Sequence, residues 1–199
     1  MVKVLAINGS YREDGITDQA VEAMAQAVRF GGNEVEVVLL REYPLGFCLN
    51  CRECTLTQGE QPGECVQQDG MADLVKKLEQ ADAYILASPT NFGTVTALFK
   101  RFMERLTVYA YWPWGAPAPK YRKDRSPRKK AILISSCASP GLMGRLFYNT
   151  RKQLATTART LGADTVGTLF SGLIATEEHG KLPERTCRKM KTMAAKLIN

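Results

Sequence analysis

Four of the six cysteines of this chain stand close together and could bind one ligand. Cys48, Cys51 and Cys54 follow a Cys-x2-Cys-x2-Cys pattern, and Cys65 comes after ten further residues. Three close cysteines with one remote can wrap a [4Fe–4S] cluster, because thiolates are the ligands of such clusters. Zinc bound by four cysteines and free thiols that order a loop are the alternatives. Because the cysteines do not form two pairs, the spacing favours iron–sulfur over zinc.

A second segment, residues 8–17, is suited to bind a phosphate. It reads Asn-Gly-Ser-Tyr-Arg-Glu-Asp-Gly-Ile-Thr and stands between an apolar run and a helical pattern. Main-chain N–H groups at a helix start attract anions, and Ser10, Arg12 and Thr17 add side-chain donors. A P-loop would need Lys directly after Gly15, and the fingerprint Gly-x-Gly-x-x-Gly is absent. A capped turn without a ligand is the remaining alternative.

A third segment, residues 88–105, carries a family resemblance. It begins Ser88-Pro89 and continues to Gly93, with Lys100 and Arg105 downstream. This block resembles the Ser-Pro-x-Tyr-x-Gly…Lys…Asp-Arg signature of the NADPH-dependent FMN reductase and iron–sulfur flavoprotein group. The chain departs from that signature where Asn91 occupies the usual Tyr position and Glu104 replaces Asp. The Gly-Ser-x-Arg…Thr start at residues 9–17 is also similar, with Ile16 in place of an Asn.

The resemblance implies an FMN-dependent oxidoreductase that takes hydride from NAD(P)H and reduces a small acceptor, such as a flavin or a quinone. The alternative is an electron-transfer flavoprotein that exchanges electrons with a ferredoxin-like protein partner through a [4Fe–4S] cluster. A homodimer or homotetramer is implied as well. The expected FMN contacts are Ser10, Arg12, Ile16, Thr17, Pro89, Thr90, Asn91, Phe92, Gly93 and Ser136. The expected cluster ligands are Cys48, Cys51, Cys54 and Cys65.

The start of the third segment, residues 88–93, also suits a flavin in physical terms. Pro89 stiffens the turn, the N–H groups from Thr90 to Gly93 can donate to the N5 and O4 edge, and Phe92 can pack on the ring. No acid–base side chain is expected to be catalytic, because hydride passes between two stacked rings. The one histidine, His179, is therefore assigned no role.

Strand and helix patterns alternate along the whole chain. Strands are predicted at residues 2–7, 34–40, 81–88, 130–135 and 164–170. Helices are predicted at residues 17–29 (capped by Thr17), 70–80, 93–109, 142–161 and 184–197. This alternation predicts a flavodoxin-like α/β fold, a doubly wound five-stranded parallel sheet with helices on both faces, in one domain over residues 1–199. Ligands of such sheets bind beyond the carboxyl ends of the strands, here at the loops 8–16, 88–93 and 136–141.

Two long segments do not follow the alternation. Residues 41–69 hold the cysteine loop, which we expect at the same carboxyl edge as the flavin loops. Residues 109–128 are aromatic and proline-rich, and their Trp112 and Trp114 are expected to cover a flavin or, preferably, to lie at an oligomer contact. The nearby Lys120, Arg122, Lys123 and Arg125 are expected on the solvated surface, with attraction of nicotinamide dinucleotide phosphates as the alternative.

Charge and composition limit the class of protein. The net charge is +7, and residues 100–130 hold ten Lys or Arg against Glu104 and Asp124. No nucleic-acid motif accompanies this basic stretch, so a solvated loop is preferred and no nucleic-acid partner is expected. The longest apolar runs are too short for a bilayer, and the amino-terminal residues lack a signal-peptide pattern, so a cytoplasmic protein is predicted. Cys137 and Cys187 are isolated and are expected to be small buried residues.

Overall fold

A parallel five-stranded sheet forms the centre of the molecule. The computed structural model describes residues 1–124, 126–140, 146–174 and 180–198. The strands are β1 (Lys3–Asn8), β2 (Glu34–Leu39), β3 (Ala83–Asn91), β4 (Thr94–Val95), β5 (Ala110–Tyr111), β6 (Lys120–Tyr121), β7 (Lys129–Ser136) and β8 (Ala163–Ser171). The parallel strands lie in the order β2-β1-β3-β7-β8. The flavodoxin-like prediction is confirmed.

Helices cover both faces of this sheet. They are α1 (Ile16–Phe30), α2 (Met71–Gln80), α3 (Ala97–Arg105), α4 (Thr150–Thr160) and α5 (Glu184–Ile198). The apolar residues of α1 and α5 share one core layer, and those of α2, α3 and α4 share the other. No helix within the described ranges is long and apolar enough to cross a membrane.

The central strand β1 shows why the two layers form. Its Val4 and Ala6 pack against the α1 and α5 side, whereas Leu5 and Ile7 pack against the other side. Successive side chains of a strand point to opposite faces, so a strand that is buried on both faces must be apolar throughout. The uninterrupted apolar run at residues 4–7 therefore places β1 inside the sheet.

Helix α1 begins one residue earlier than the sequence indicates. Gly15 is its N-cap residue, with φ −66° and ψ 166°, and no side chain caps the helix. The prediction that Thr17 is the cap is wrong, because Thr17 lies inside the first turn and is buried. Its hydroxyl is 2.8 Å from the Ser136 hydroxyl at the end of β7.

The predicted helix over residues 93–109 is divided into three parts. Thr94 and Val95 form β4, which pairs antiparallel with the end of β3. Thr96 then caps α3 by accepting a hydrogen bond from the Phe99 N–H, and a 3-10 turn follows at Leu106–Tyr109. The apolar residues do follow a helical pattern, but the first residues of the predicted helix form the tight reversal after β3 instead.

Two further predictions are modified. The predicted loop over residues 109–128 contains an antiparallel hairpin of β5 and β6. The helix predicted at residues 142–161 is described from Thr150 onward, and residues 141–145 lie outside the described residues. Arg125 and His179 lie outside them as well.

Candidate functional site

The first loop at the carboxyl edge is folded around the buried Asn8 at the end of β1. The Asn8 side-chain oxygen accepts a hydrogen bond from the Ser10 N–H at 2.9 Å. The Ser10 hydroxyl accepts from the Arg12 N–H at 3.2 Å and donates to the Arg12 carbonyl at 3.1 Å. These contacts bend residues 8–12 into a compact turn, so the loop is shaped before any ligand arrives.

An ion pair of Asp18 and Arg41 holds the Asn8 side chain in place. The Asn8 amide donates to Asp18 at 2.7 Å, and Arg41 pairs with the other oxygen of Asp18 at 2.9 Å. Both side chains of this pair are largely buried. Asn8, Asp18 and Arg41 are not among the site residues predicted from the sequence. The only signal for them was their position, since Asn8 ends a strand, Asp18 lies in the first turn of α1 and Arg41 follows β2.

Gly9 joins the first loop to the second. A Cβ atom at Gly9 would lie 2.8 Å from the Cβ of Phe99, so only glycine lets this loop contact α3. The Gly9 carbonyl accepts a hydrogen bond from the Thr96 hydroxyl at 2.6 Å, and the Thr96 N–H donates to the Ser88 hydroxyl at 3.0 Å. Thr96 therefore holds the first loop, the end of β3 and the start of α3 together.

The second loop is a tight reversal after β3. Phe92 and Gly93 both have positive φ, 48° and 74°. A non-glycine residue in this region is strained, and such strain is common at ligand sites. The Phe92 ring is fully exposed, and Asn91 is exposed beside it. The Thr90 hydroxyl is 2.9 Å from the Thr150 hydroxyl, so this side chain fastens the loop to α4.

A cleft of about 780 Å³ lies between these loops. It brings together seven of the predicted FMN contacts, namely Ser10, Arg12, Ile16, Thr17, Pro89, Asn91 and Ser136. Thr90, Phe92 and Gly93 do not line it. The volume is within the range of small-molecule and cofactor sites, about 300–1,000 Å³. Hydroxyls and main-chain N–H groups at the α1 end and apolar walls elsewhere fit a phosphate with an attached flat ring.

The carboxyl-terminal part of the chain supplies a wall that the sequence analysis missed. Gln19 donates to the Gly180 carbonyl at 3.0 Å and accepts from the Leu182 N–H at 2.9 Å, which fixes residues 180–182 beside the cleft. Lys181 and Cys187 line the cleft there. Cys187 is only partly buried, unlike the prediction, whereas Cys137 is buried as predicted.

The cysteine loop is closed at its base by a buried ion pair. Arg105, which is 2% exposed, donates both terminal nitrogens to Asp69 at 2.6 and 2.9 Å. Arg105 also donates to the Gly46 carbonyl at 3.0 Å, and Asp69 accepts from the Gly46 N–H at 2.8 Å. The hydrogen bonds from Arg105 are the main cause that lowers the pKa of Asp69 to about 2. Arg105, the arginine of the family signature, thus binds residues at both ends of this loop.

The four cysteines of the loop are all free thiols. Burial, followed by the nearby thiols of Cys65, Cys48 and Cys51, raises the pKa of the Cys54 thiol to about 11. Arg105 donates an N–H to the Cys65 sulfur at 3.3 Å. A set of donors made only of thiols fits a thiophilic metal or an iron–sulfur group in its chemistry. Within the described ranges, however, no three such side chains are already gathered around one point.

The aromatic hairpin packs on the cysteine loop. The Arg52 guanidinium lies between the rings of Trp112 and Trp114, at 4.0 and 4.2 Å from their centroids, and donates to the Trp112 carbonyl at 2.6 Å. Trp112 therefore packs against Arg52 and does not cover a flavin. Within the cysteine loop, Gly63 packs directly against Cys54, since a Cβ atom at Gly63 would lie 1.9 Å from the Cys54 carbonyl oxygen.

Arg122, at the end of this hairpin, corrects the expectation of a solvated surface residue or a phosphate ligand. It is 7% exposed, and all its described hydrogen bonds go to main-chain carbonyls. By contrast, Lys120 is exposed as predicted. The basic stretch at residues 120–123 thus contains both a solvated cation and a buried one, and the sequence alone does not distinguish them.

Cys65 and the first flavin loop contact opposite ends of α3. Thr96 at the amino end of α3 contacts the Gly9 loop, whereas Arg105 at its carboxyl end contacts Cys65. Helix α3 has nine residues, so its two ends are about 13 Å apart. The cysteine loop leaves β2 at the carboxyl edge of the sheet, as expected. Its Cys54–Cys65 part, however, reaches the carboxyl end of α3, away from the flavin loops.

Comparisons with known proteins agree with these features. A family model described as NADPH-dependent FMN reductase matches residues 2–171. An iron–sulfur flavoprotein of Archaeoglobus fulgidus is 35% identical over 112 residues, which are 56% of this chain and 49% of that protein. An iron–sulfur flavoprotein of Methanocaldococcus jannaschii is 35% identical over 104 residues, which are 52% of this chain and 51% of that protein. The chain spans about half the length of the curated relatives it matches.

Solved structures show the same fold. An FMN-dependent NADH-azoreductase of Bacillus anthracis, in complex with FMN, has a TM-score of 0.71 at 13% identity, with 100% of both chains covered. At this identity the likeness concerns the fold alone. The family follows from the sequence match, which extends from β1 to the end of β8. The chain belongs to the NADPH-dependent FMN reductase family.

Proposed function

We propose that this protein is an FMN-dependent NAD(P)H oxidoreductase that reduces a small acceptor, such as a flavin or a quinone. The observation that carries the proposal is the cleft of about 780 Å³, which has a preshaped phosphate loop at one end and the turn after β3 along its side. The names of the family and of its FMN-bound structural neighbour support FMN as the cofactor.

The residues of the cleft have distinct tasks in this proposal. The N–H groups of residues 10–17 and the paired hydroxyls of Thr17 and Ser136 hold the phosphate. Arg12 and Lys181 supply positive charge at the cleft, and Pro89 and Asn91 form the wall for the ring. FMN, when bound, supplies the redox chemistry, so the chain needs to bind and orient it and requires no catalytic acid or base.

Flavin titration and turnover test this proposal. FMN fluorescence should be quenched on addition of the apoprotein, and Thr17→Val should weaken binding about tenfold, because one buried hydroxyl partner is lost. Thr165→Val, at an exposed position of β8, is the matched control and should bind FMN like the wild type. Oxidation of NADH and of NADPH is then followed with flavin and quinone acceptors. Absence of FMN binding by the wild-type chain would refute the proposal.

A second candidate is an electron-transfer flavoprotein whose partners are ferredoxin-like proteins. Its specific support is the cysteine loop, locked to α3 by Arg105, together with the names of the iron–sulfur flavoprotein relatives. In this candidate Cys48, Cys51, Cys54 and Cys65 hold a [4Fe–4S] cluster, which supplies one-electron chemistry when bound.

Two measurements separate the candidates. The oxidoreductase turns over NAD(P)H with a small acceptor whether or not iron is present. The electron-transfer protein contains iron when it is prepared anaerobically, is reduced by a ferredoxin-like carrier, and does not turn over NAD(P)H. Iron content, the visible spectrum and NAD(P)H oxidation on the same anaerobic sample therefore decide between them.

A further inference from the structure

Arg122 is a buried cation beneath the cysteine loop. Its Nε donates to the Val108 carbonyl at 3.1 Å, and its Nη1 donates to the Gly59 carbonyl at 3.0 Å. Its Nη2 donates to the carbonyls of Cys54 and Thr57 at 3.2 and 2.8 Å. Three of these four acceptors belong to the cysteine loop. Among the residues that the structure describes, no carboxylate forms an ion pair with Arg122.

Such a buried cation is costly when no negative charge lies beside it. A buried charge is tolerated when it is paired, and carbonyl dipoles compensate it only in part. Among the residues whose carbonyls Arg122 contacts, Cys54 is the one whose side chain can become negatively charged.

Two other arginines around the loop, Arg105 and Arg52, already have other partners for their charge. Arg105 donates to the Cys65 sulfur, but its charge is already balanced by Asp69. Arg52, between two tryptophan rings, donates to the carbonyls of Trp112 and Pro113. Of the carboxylates in the loop, Asp69 is already paired with Arg105. The others are exposed, namely Glu42, Glu53, Glu60 and Glu64.

We propose that Arg122 is the counter-charge of the cysteine loop, a positioning residue that stabilises the loop when its four cysteines bind a thiophilic metal group. Four thiolates around a divalent metal carry net negative charge, which the buried guanidinium offsets. Binding forms metal–sulfur bonds and releases the thiol protons to water, and no electron is transferred. The proposal rests on metal binding by the cysteines, not on the flavin cleft.

Cadmium binding to the full-length, reduced protein tests this inference. Cd²⁺ is titrated anaerobically, and the ultraviolet sulfur-to-cadmium charge-transfer band reports thiolate ligation. Arg122→Gln removes the charge, and Arg122→Lys keeps it with fewer hydrogen bonds. Lys120→Gln removes an exposed cation of the same hairpin and is the matched control. Cys54→Ser reports the signal of a damaged site, and FMN titration of each variant reports whether it is folded.

The expected result is that Arg122→Gln binds cadmium about tenfold more weakly, while Arg122→Lys stays within about threefold and Lys120→Gln is unchanged. Equal affinity of Arg122→Gln and wild type overturns the proposal, and so does equal loss in Arg122→Gln and Arg122→Lys, which would indicate hydrogen bonding alone. If Arg122→Gln does not fold, Arg122→Lys decides: wild-type-like affinity supports the proposal, and loss as large as in Cys54→Ser overturns it. Absence of cadmium binding by the wild type overturns it too, whereas failure of FMN binding alone refutes only the flavin function.

Discussion

At the scale of single residues, the pair of Arg105 and Asp69 has the clearest energetic consequence. Arg105 is 1% exposed in its side chain and Asp69 is 19% exposed, and their contact is bidentate. Removal of one partner from a buried pair leaves the other charge uncompensated. The motif arginine therefore stabilises the cysteine loop and does not contact the flavin cleft.

Asp69→Asn should lower the free energy of unfolding by roughly 3 kcal/mol, because Arg105 then remains buried without a carboxylate. Urea denaturation at neutral pH measures the change. Asp164→Asn, which breaks an exposed pair with Arg128, is the matched control and should change stability by less than about 0.5 kcal/mol. Equal effects of the two substitutions would contradict the assignment of Arg105 and Asp69 as a buried lock.

The same pair predicts how stability depends on pH. The hydrogen bonds from Arg105, followed by the N–H groups of Gly46 and Met71, hold the pKa of Asp69 at about 2, below its ordinary value of 3.8. Stability from the carboxylate is thus fully present above about pH 4 and is lost as the pH falls through about 2. The difference in urea midpoint between wild type and Asp69→Asn should narrow over this window. A difference that stays constant down to about pH 2 would disprove the coupling.

At the scale of elements, α3 connects the two candidate sites. Its cap residue Thr96 holds the first flavin loop through the Gly9 carbonyl, and its last residue, Arg105, holds the cysteine loop. The two contacts are separated by the length of the helix. Changes in the cysteine loop should therefore leave FMN binding intact, which makes the two sites separable by substitution.

Gly63→Ala tests this separation. The new Cβ would lie 1.9 Å from the Cys54 carbonyl oxygen, so the cysteine loop must shift. We expect the free energy of unfolding to fall by about 2 kcal/mol and cadmium binding to be lost, with FMN affinity unchanged. Gly15→Ala meets only the Arg12 side chain, at 3.4 Å, and should leave cadmium binding unchanged. Loss of FMN binding in Gly63→Ala would show that the sites are not independent.

The elements also show what a sequence can and cannot predict. The alternation of apolar strands and amphipathic helices determines the parallel sheet, because strands such as β1 that are buried on both faces leave an unambiguous pattern. The loop at residues 88–93 was predicted, but the short strand β4 after it was missed, since Thr94 and Val95 keep a helical pattern that tertiary pairing overrides. Thr17 was misassigned because its buried partner, Ser136, is distant in sequence.

The candidate site was predictable to a similar degree. Hydroxyl and glycine-rich loops after strands can be recognised locally, and seven of the ten predicted FMN contacts line one cleft. The side chains that shape those loops are remote in sequence, such as Arg41 beneath Asp18 and Gln19 against residues 180–182. The burial of Arg122 could not be inferred either, because a run of basic residues has the same composition whether it is solvated or packed.

At the scale of the whole molecule, a rim formed by the turn after β3 and the segment before α4 carries unusual apolar exposure. Phe92 is fully exposed, and Leu146 and Phe147 are 69% and 74% exposed. The segment that follows contacts the turn after β3, because the Asn149 N–H donates to the Gly93 carbonyl at 2.8 Å. Exposed aromatic residues of such a rim are typical of surfaces that bind another protein. A second copy of this chain is the partner that the family resemblance implies, through an isologous contact.

Sedimentation velocity tests whether this rim joins two copies. The wild type, with a chain mass of 22.0 kDa, should sediment as a dimer of about 44 kDa. The double variant Phe92→Ser, Phe147→Ser should shift toward the monomer, because the apolar area that drives association is removed. Phe30→Ser is the matched control, since Phe30 is 96% exposed at the carboxyl end of α1, toward the opposite edge of the sheet. A dimer that persists in the double variant, or dissociates equally in Phe30→Ser, would exclude the rim as the contact between copies.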